Sequence, residues 1–392
     1  MMTIAAVSIV PVCLLVAVAA APASAGEIET SYSVRLVAGY ETNPLLVTKY
    51  GDAPSGAFSQ LRLHGGISGH PGSPVTLFAS GYAGTRVYES PTSDAGYDSG
   101  ALRAGVAFLP RFAGQRLAFS LGGRYAIYRG TFTDNETGAV YAAIVDPTTL
   151  PPSTIPIPER LDHDSSGVFV KLRFKQSRRF SLSLDSMFDR TDYVNDYAEL
   201  TDLSPLDYRS VRVKPGANFR VSNAVSLGMS VALTDLDYDD RPALDANGGA
   251  VSGTTRSYRY VNYSLAVSVR PADRWSLRVG LAGGERDDTY AGYYDYANAS
   301  AFLAVDHEFG PKSRLHAYAS ILDTDYETAT VTGDPTAGVL GSHEQHYLAR
   351  FHRSLGKRAS WFVEGGRRQR DNQDPVFTYD RDWLMTGIHF GR

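Results

Sequence analysis

The sequence predicts an all-β fold: a closed antiparallel transmembrane β-barrel of about sixteen strands, with short periplasmic turns and long extracellular loops. Three observations carry that expectation. Stretches of roughly ten to fourteen residues alternate apolar with polar from about residue 30 to the end of the chain. Period 2 is the mark of a strand whose two faces meet different surroundings. The connections between these stretches alternate short with long, as in bacterial outer-membrane barrels. After Ala25 no apolar run reaches the roughly 18 residues a helical span requires, so a crossing would have to be made with strands.

The first 25 residues are a separate object. Met1 to Ala25 contains no Lys, Arg, Asp or Glu, and Ile4 to Ala21 is almost wholly apolar. The segment ends in Ala23-Ser24-Ala25, a small-residue cleavage site. It reads as a secretory signal peptide, cut near Ala25, with residues 26–392 forming one barrel domain in the outer membrane of a Gram-negative cell. The alternative, a retained N-terminal anchor, fits the apolar run less well because of Pro22 and the Ala-Ser-Ala end. The one cysteine, Cys13, lies in this segment, so the mature chain needs no disulfide. No Ser/Gly linker or charge block divides residues 26–392.

Taken in order, the strands fall near 28–40, 57–69, 74–88, 97–109, 115–130, 163–175, 179–192, 208–221, 224–237, 257–270, 274–287, 295–309, 313–326, 344–355, 358–370 and 379–390. Arg274-Trp275-Ser276-Leu277-Arg278-Val279-Gly280-Leu281 shows the alternation most clearly. Short turns follow the even-numbered strands: His70-Pro71-Gly72-Ser73, Pro110 to Gly114, Gln176-Ser177-Arg178, Ser222-Asn223, Pro271-Ala272-Asp273, Gly310-Pro311-Lys312 and Gly356-Lys357. Longer polar segments follow the odd-numbered ones: 41–56, 89–96, 131–162, 193–207, 238–256, 288–294, 327–343 and 371–378. An even count with this asymmetry puts both termini and the turns in the periplasm. A soluble propeller would repeat a blade motif, and the chain has none. A sandwich need not alternate its turns short with long.

The apolar phase should meet lipid. Leu117, Phe119, Leu121, Tyr125 and Ile127 share one face, as do Val225, Leu227, Met229, Val231 and Leu233. Aromatics sort by end. Tyr40, Tyr88, Tyr97, Tyr128, Tyr193, Tyr208, Tyr238, Tyr258, Tyr290, Tyr296, Tyr326 and Tyr379 lie near the long loops. Phe108, Phe112, Phe174, Phe180, Phe219, Trp275, Phe309 and Trp361 lie near the short turns. Two interfacial girdles are the expected result.

The polar phase is basic. Arg35, Arg62, Arg103, Arg124, Lys171, Arg173, Arg212, Lys214, Arg278, Arg350 and Arg368 alternate with the lipid-facing residues and should line the pore. Asp185, Asp189 and Glu364 are the inward acids. The net charge is −4, so the balancing acids should gather in the loops, as at Asp235, Asp237, Asp239, Asp240, Asp287 and Asp288. Either the arginines neutralise inward acids as structural pairs, or they form a positive lumen that favours anions. Inward aromatics such as Phe78, Tyr82, Phe169, Phe302, Tyr318 and Phe362 could partly fill the pore. The segment 131–162 carries Asp134, Glu136, Asp146 and Glu159 and a proline-rich stretch from Pro151 to Pro158. A connection this long invites a role: it could fold inward as a constriction or stand outside as a flap.

Sixteen strands, a signal peptide and a longest third loop resemble the general porins of Gram-negative bacteria, whose third loop forms the constriction. Gly39-Tyr40-Glu41-Thr42-Asn43-Pro44 resembles the opening of the type 2 β-barrel porins associated with exopolysaccharide loci. Arg370-Asp371-Asn372 with Tyr379-Asp380-Arg381 is similar to their last hairpin. These resemblances imply an outer-membrane barrel, either a channel or part of an export system for an acidic polysaccharide.

Catalytic and metal motifs are absent. His343-Glu344-Gln345-His346 stands at an expected loop-to-strand junction and lacks zincin spacing. Asp235, Asp237 and Asp239 have the opening spacing of a calcium loop without its Gly and Glu. The expectation is a non-enzymatic channel without metal or cofactor, passing small hydrophilic solutes and favouring anions. Its partners would be outer-membrane lipid and lipopolysaccharide, the barrel-assembly machinery reading Leu384, Ile388 and Phe390, and small anionic solutes or an acidic polysaccharide. Nucleic acid is not among them, since the cations alternate around a wall and form no patch.

Overall fold

A computed structural model describes residues 28–44, 55–69, 74–89, 96–112, 115–130, 162–193, 207–330, 338–374 and 378–391. Sixteen long strands run through them. They are β1 Ile28–Thr42, β2 Ser55–Gly69, β3 Val75–Tyr88, β4 Tyr97–Phe108, β5 Gln115–Gly130, β6 His163–Lys175, β7 Phe180–Tyr193 and β8 Tyr208–Arg220, then β9 Val225–Tyr238, β10 Ser257–Ala272, β11 Trp275–Asp288, β12 Tyr296–Gly310, β13 Ser313–Thr330, β14 Val339–Ser354, β15 Ala359–Asn372 and β16 Tyr379–Gly391. At 12 to 18 residues each is long enough for a tilted membrane crossing.

Every strand pairs antiparallel with its neighbours in sequence, and β16 pairs with β1 from Ser33 opposite Gly391 to Glu41 opposite Trp383. The sheet therefore closes on itself and leaves no edge. Closure matters physically, because an unpaired backbone group in hydrocarbon has no water to bond. The short turns are tight. In two of them a serine hydroxyl holds the chain: Ser177 Oγ accepts from the amides of Arg179 and Phe180 at 3.1 and 3.0 Å, and Ser222 Oγ from those of Ala224 and Val225 at 3.1 Å.

The strands keep close to the expected ranges, and the largest boundary shift is at the start of β14. β14 begins at Val339, so His343 to His346 lie within the strand and not at a junction. Pairing with β13 extends the strand, beyond a register shift between Asp325 and Thr330. Asp235, Asp237, Asp287 and Asp288, expected among the loop acids, instead sit at the upper ends of β9 and β11, whose bounds match the expected strands to within one residue. The segment between β9 and β10 is not a plain loop. It forms a small hairpin of Ala243–Leu244 against Ala250–Val251, closed by Asp245 Oδ1 accepting from Asn247 and Gly249, with Gly248 at φ +84°.

Candidate functional site: the barrel lumen

The two faces separate cleanly. Leu36, Leu77, Leu121, Met229, Leu281, Ile321 and Leu384 are among the large apolar residues the barrel leaves exposed, and all point outward. The other face is identified by contacts between strands that are not hydrogen-bonded to each other. Arg86 on β3 reaches Glu41 on β1, Arg124 on β5 reaches Met187 on β7, and the rings of Phe78 on β3 and Phe169 on β6 lie 6.3 Å apart. Such contacts arise on the concave side of a curved sheet.

The register places the eleven cations on this inner face. Arg35 stands opposite Arg62, Arg103 opposite Arg124, and Arg350 opposite Glu364. Lys171 faces Asp185, which also faces Lys214. Arg173, Arg212, Arg278 and Arg368 share the phase on β6, β8, β11 and β15. Three of the eleven hold a carboxylate. Arg124 Nε lies 3.0 Å from Asp189, Arg350 pairs with Glu364, and Arg368 grips Glu344 with two bonds of 2.9 Å. The other eight make no ion pair within 4.0 Å among the described residues. Arg103 donates to Ser80 Oγ at 2.8 Å, and Arg62 to the Tyr97 hydroxyl at 3.4 Å. Arg35, Lys171 and Arg278 lie over the rings of Phe362, Phe169 and Phe302 at 4.3, 5.9 and 5.4 Å. Asp134, Glu136, Asp146 and Glu159 of the third loop lie outside the described residues.

Sequence reasoning missed part of this wall. Glu41 falls at the start of the expected loop 41–56, yet it is the last inward residue of β1 and only 1% exposed. It binds Arg86 at 3.1 Å, Arg381 of β16, and the hydroxyl of Tyr88 at 2.8 Å. Carrying the alternation of β1 three positions past Ala38 would have found it, since Glu41 is in phase with Arg35. Arg86, Arg381 and Glu344 are in phase by the same rule.

The inner aromatics lie flat against the wall. Phe302 faces Gly280, Phe362 faces Gly387, Phe169 faces Gly122, Phe78 faces Gly105, Phe58 faces Gly39 and Trp383 faces Gly366 on neighbouring strands. A Cβ on Gly280 would run into the Phe302 ring, and one on Gly387 would stand 2.6 Å from Phe362. The missing side chain gives each ring a place to lie down, so the aromatics narrow the lumen less than their volume implies.

The tyrosines near the long loops do not form a lipid girdle. Tyr88, Tyr97, Tyr128, Tyr193, Tyr208, Tyr238, Tyr258, Tyr296, Tyr326 and Tyr379 share the inward phase; of the expected set, Tyr40 alone faces out from a strand. They form a collar inside the mouth. Tyr97, Tyr128, His163 and Tyr193 follow one another at 6.1, 5.6 and 5.3 Å, and Arg286 lies under Tyr258, Tyr294, Tyr296 and Tyr326 at 4.5 to 5.6 Å. The outward positions at this end include charge pairs, as in Arg129–Asp164, Arg190–Asp192 and Arg259–Asp235. The opposite end does carry an outward aromatic run: Trp275, His307, Phe309, Phe351 and Trp361 touch in sequence at 4.0 to 6.4 Å. The hairpin at 243–251 leans over the mouth, where Leu244 is buried with Tyr293, Ala329 and Leu340 against Tyr294 and Tyr326.

A closed barrel with an apolar outer band, an aromatic belt at one end, a charged rim at the other and a polar lumen defines an outer-membrane β-barrel of porin architecture. No protein-family model matches the chain, and no curated protein does. Among solved structures it is similar to OccAB3 of Acinetobacter baumannii, at 9% identity and a TM-score of 0.49 over 93% of this chain and 100% of that one. It is also similar to OmpT, an outer membrane protein of Vibrio cholerae, at 10% identity and 0.48 over 95% and 100%. A third is the outer membrane protein opdK of Pseudomonas aeruginosa, at 12% and 0.43 over 94% and 100%.

Proposed function

We propose that the barrel is a passive outer-membrane channel for small hydrophilic solutes and that it favours anions. One observation supports this most: eight inward cations, Arg35, Arg62, Arg103, Lys171, Arg173, Arg212, Lys214 and Arg278, have no carboxylate within 4.0 Å among the described residues, while, of the inward acids, Glu41, Asp189, Glu344 and Glu364 are each held by arginine and Asp185 stands across the ladder from Lys171 and Lys214. Fixed positive charge on a low-dielectric wall concentrates anions and repels cations. Transport then needs no chemical step, only diffusion biased by the wall. The measurement is the reversal potential of refolded protein in a planar bilayer under a KCl gradient. A value of the anion-selective sign is expected; a cation-selective value or a non-conducting barrel refutes the proposal. Export of an acidic polysaccharide is the second reading, motivated by the Gly39–Pro44 and Tyr379–Arg381 resemblances; a deletion strain with unchanged surface polymer would sink it.

A further inference from the structure

Among the described residues, two recesses of the lumen differ in chemistry. The first, of about 590 Å³, lies on the long-loop side and takes in Glu41, Glu344 and Glu364, each bound to arginine. The second, of about 820 Å³, lies lower, over β1 to β5 and the end of β16. Arg103, Arg124, His64, His389, Ser33 and Ser80 line it, and no carboxylate does. The chain neutralises its cations in one cavity and leaves a cation bare in the other.

Within the second recess the two arginines differ. Arg124 is engaged on all sides, by Asp189, by Ser165 at 3.2 Å and by the Met187 sulfur at 3.4 Å. Arg103 is exposed to the lumen and anchored only through Nε, by Ser80, which leaves its two terminal nitrogens without a partner among the described residues. An anchored guanidinium with a free fork suits bidentate binding of a planar or tetrahedral oxyanion. Its position opposite Arg124 is unfavourable for the sheet, because like charges directly across a ladder destabilise it. The ring of Tyr82, 5.7 Å from that of His64, adds an apolar face beside the hydroxyls.

We propose that this recess is a binding site for a small hydroxylated organic anion, a phosphate monoester or carboxylate of monosaccharide size, with Arg103 gripping the anionic group. The inference rests on the anion-favouring reading above and adds a specific site to it. The test uses the refolded full chain in planar bilayers, with glucose 6-phosphate as probe and glucose as the uncharged control. Glucose 6-phosphate should interrupt the chloride current of the wild type. Arg103→Ser should need a concentration higher by about tenfold or more for the same block, as expected for loss of a charge-assisted bidentate contact. Glucose should not block either protein. Because the substitution removes a repulsion, the variant should keep the heat-modifiable gel mobility of the folded barrel. Equal block of wild type and variant, equal block by glucose, or no block at all would overturn the site. A cation-selective reversal potential would instead overturn the anion-favouring reading itself, so the two failures are distinguishable.

Discussion

Glu41→Gln offers the sharpest test of how the wall is held together. The carboxylate of Glu41 is 1% exposed and sits between Arg86 of β3, 11% exposed, and Arg381 of β16, 24% exposed. It ties together three strands, two of which form the closing seam. Removing one partner of a buried ion pair costs about 3–5 kcal/mol, because the other charge stays desolvated. Two guanidiniums would be stranded here, but Arg381 can still reach lumen water, which argues for the lower end, about 3 kcal/mol. Arg86 and the Tyr88 hydroxyl both donate to Oε2 while Arg381 takes Oε1, so in the amide one of these two sides meets an NH2 donor where it had an acceptor. The assay is urea unfolding of the refolded barrel in lipid vesicles, followed by tryptophan fluorescence; Trp383 lies across the seam from Glu41. Arg86→Gln placed on top of Glu41→Gln should restore part of the loss, since it removes a stranded charge. A loss below about 1 kcal/mol, or a double variant less stable than the additive sum, would refute the network argument.

Other perturbations separate the roles of wall and lumen. Leu281→Arg, on the lipid face at mid-strand, should destabilise the barrel by about 2–4 kcal/mol in the same titration, with selectivity unchanged. Gly280→Val should lift the Phe302 ring into the lumen, lowering single-channel conductance while costing about 1–3 kcal/mol of stability from overpacking. Unchanged conductance would mean the ring has another place to lie. Neutralising Arg35, Arg62 and Lys214 together to Gln should move the reversal potential toward zero, while neutralising the outward-facing Arg190 should leave it in place. Replacing residues 243–251 by a short Gly linker should raise conductance, and an unaltered value would put the hairpin off the ion path.

The strand phases were legible because period 2 survives any tertiary context: Val261 to Val269 and Val225 to Leu233 could face nothing but lipid once their partners were polar. What lies at strand ends was not. Glu41 sits one step beyond the last apolar residue of its strand, so a pattern read from hydrophobicity stops before reaching it. The direction of the mouth tyrosines was hidden for a related reason. Tyrosine is at home at a lipid interface and on a stacked inner wall alike, and Asp164, Asp192 and Asp235 are among the residues in the outward slots. The cluster that gathers Leu244 and Leu340 joins positions nearly a hundred residues apart, and no local pattern announces it. The flat inner aromatics had a signal that alternation alone does not use: a glycine on the inward phase of the neighbouring strand.

The apolar band also specifies the membrane. On β9 it runs from Val225 to Leu233 before Asp235 begins the charged rim. Eight steps of about 3.3 Å give about 26 Å along the strand, and a tilt near 40° reduces that to about 20 Å of hydrocarbon. With an aromatic belt below and ionised side chains above, the barrel cannot slide to meet a thicker core; the lipid would have to thin around it, at a cost that grows with each ångström of mismatch. Short-chain phosphatidylcholine should therefore accept the refolding chain faster than long-chain lipid. The same arithmetic makes the ordinary inner membrane a poor host and a thin outer membrane the energetically preferred one.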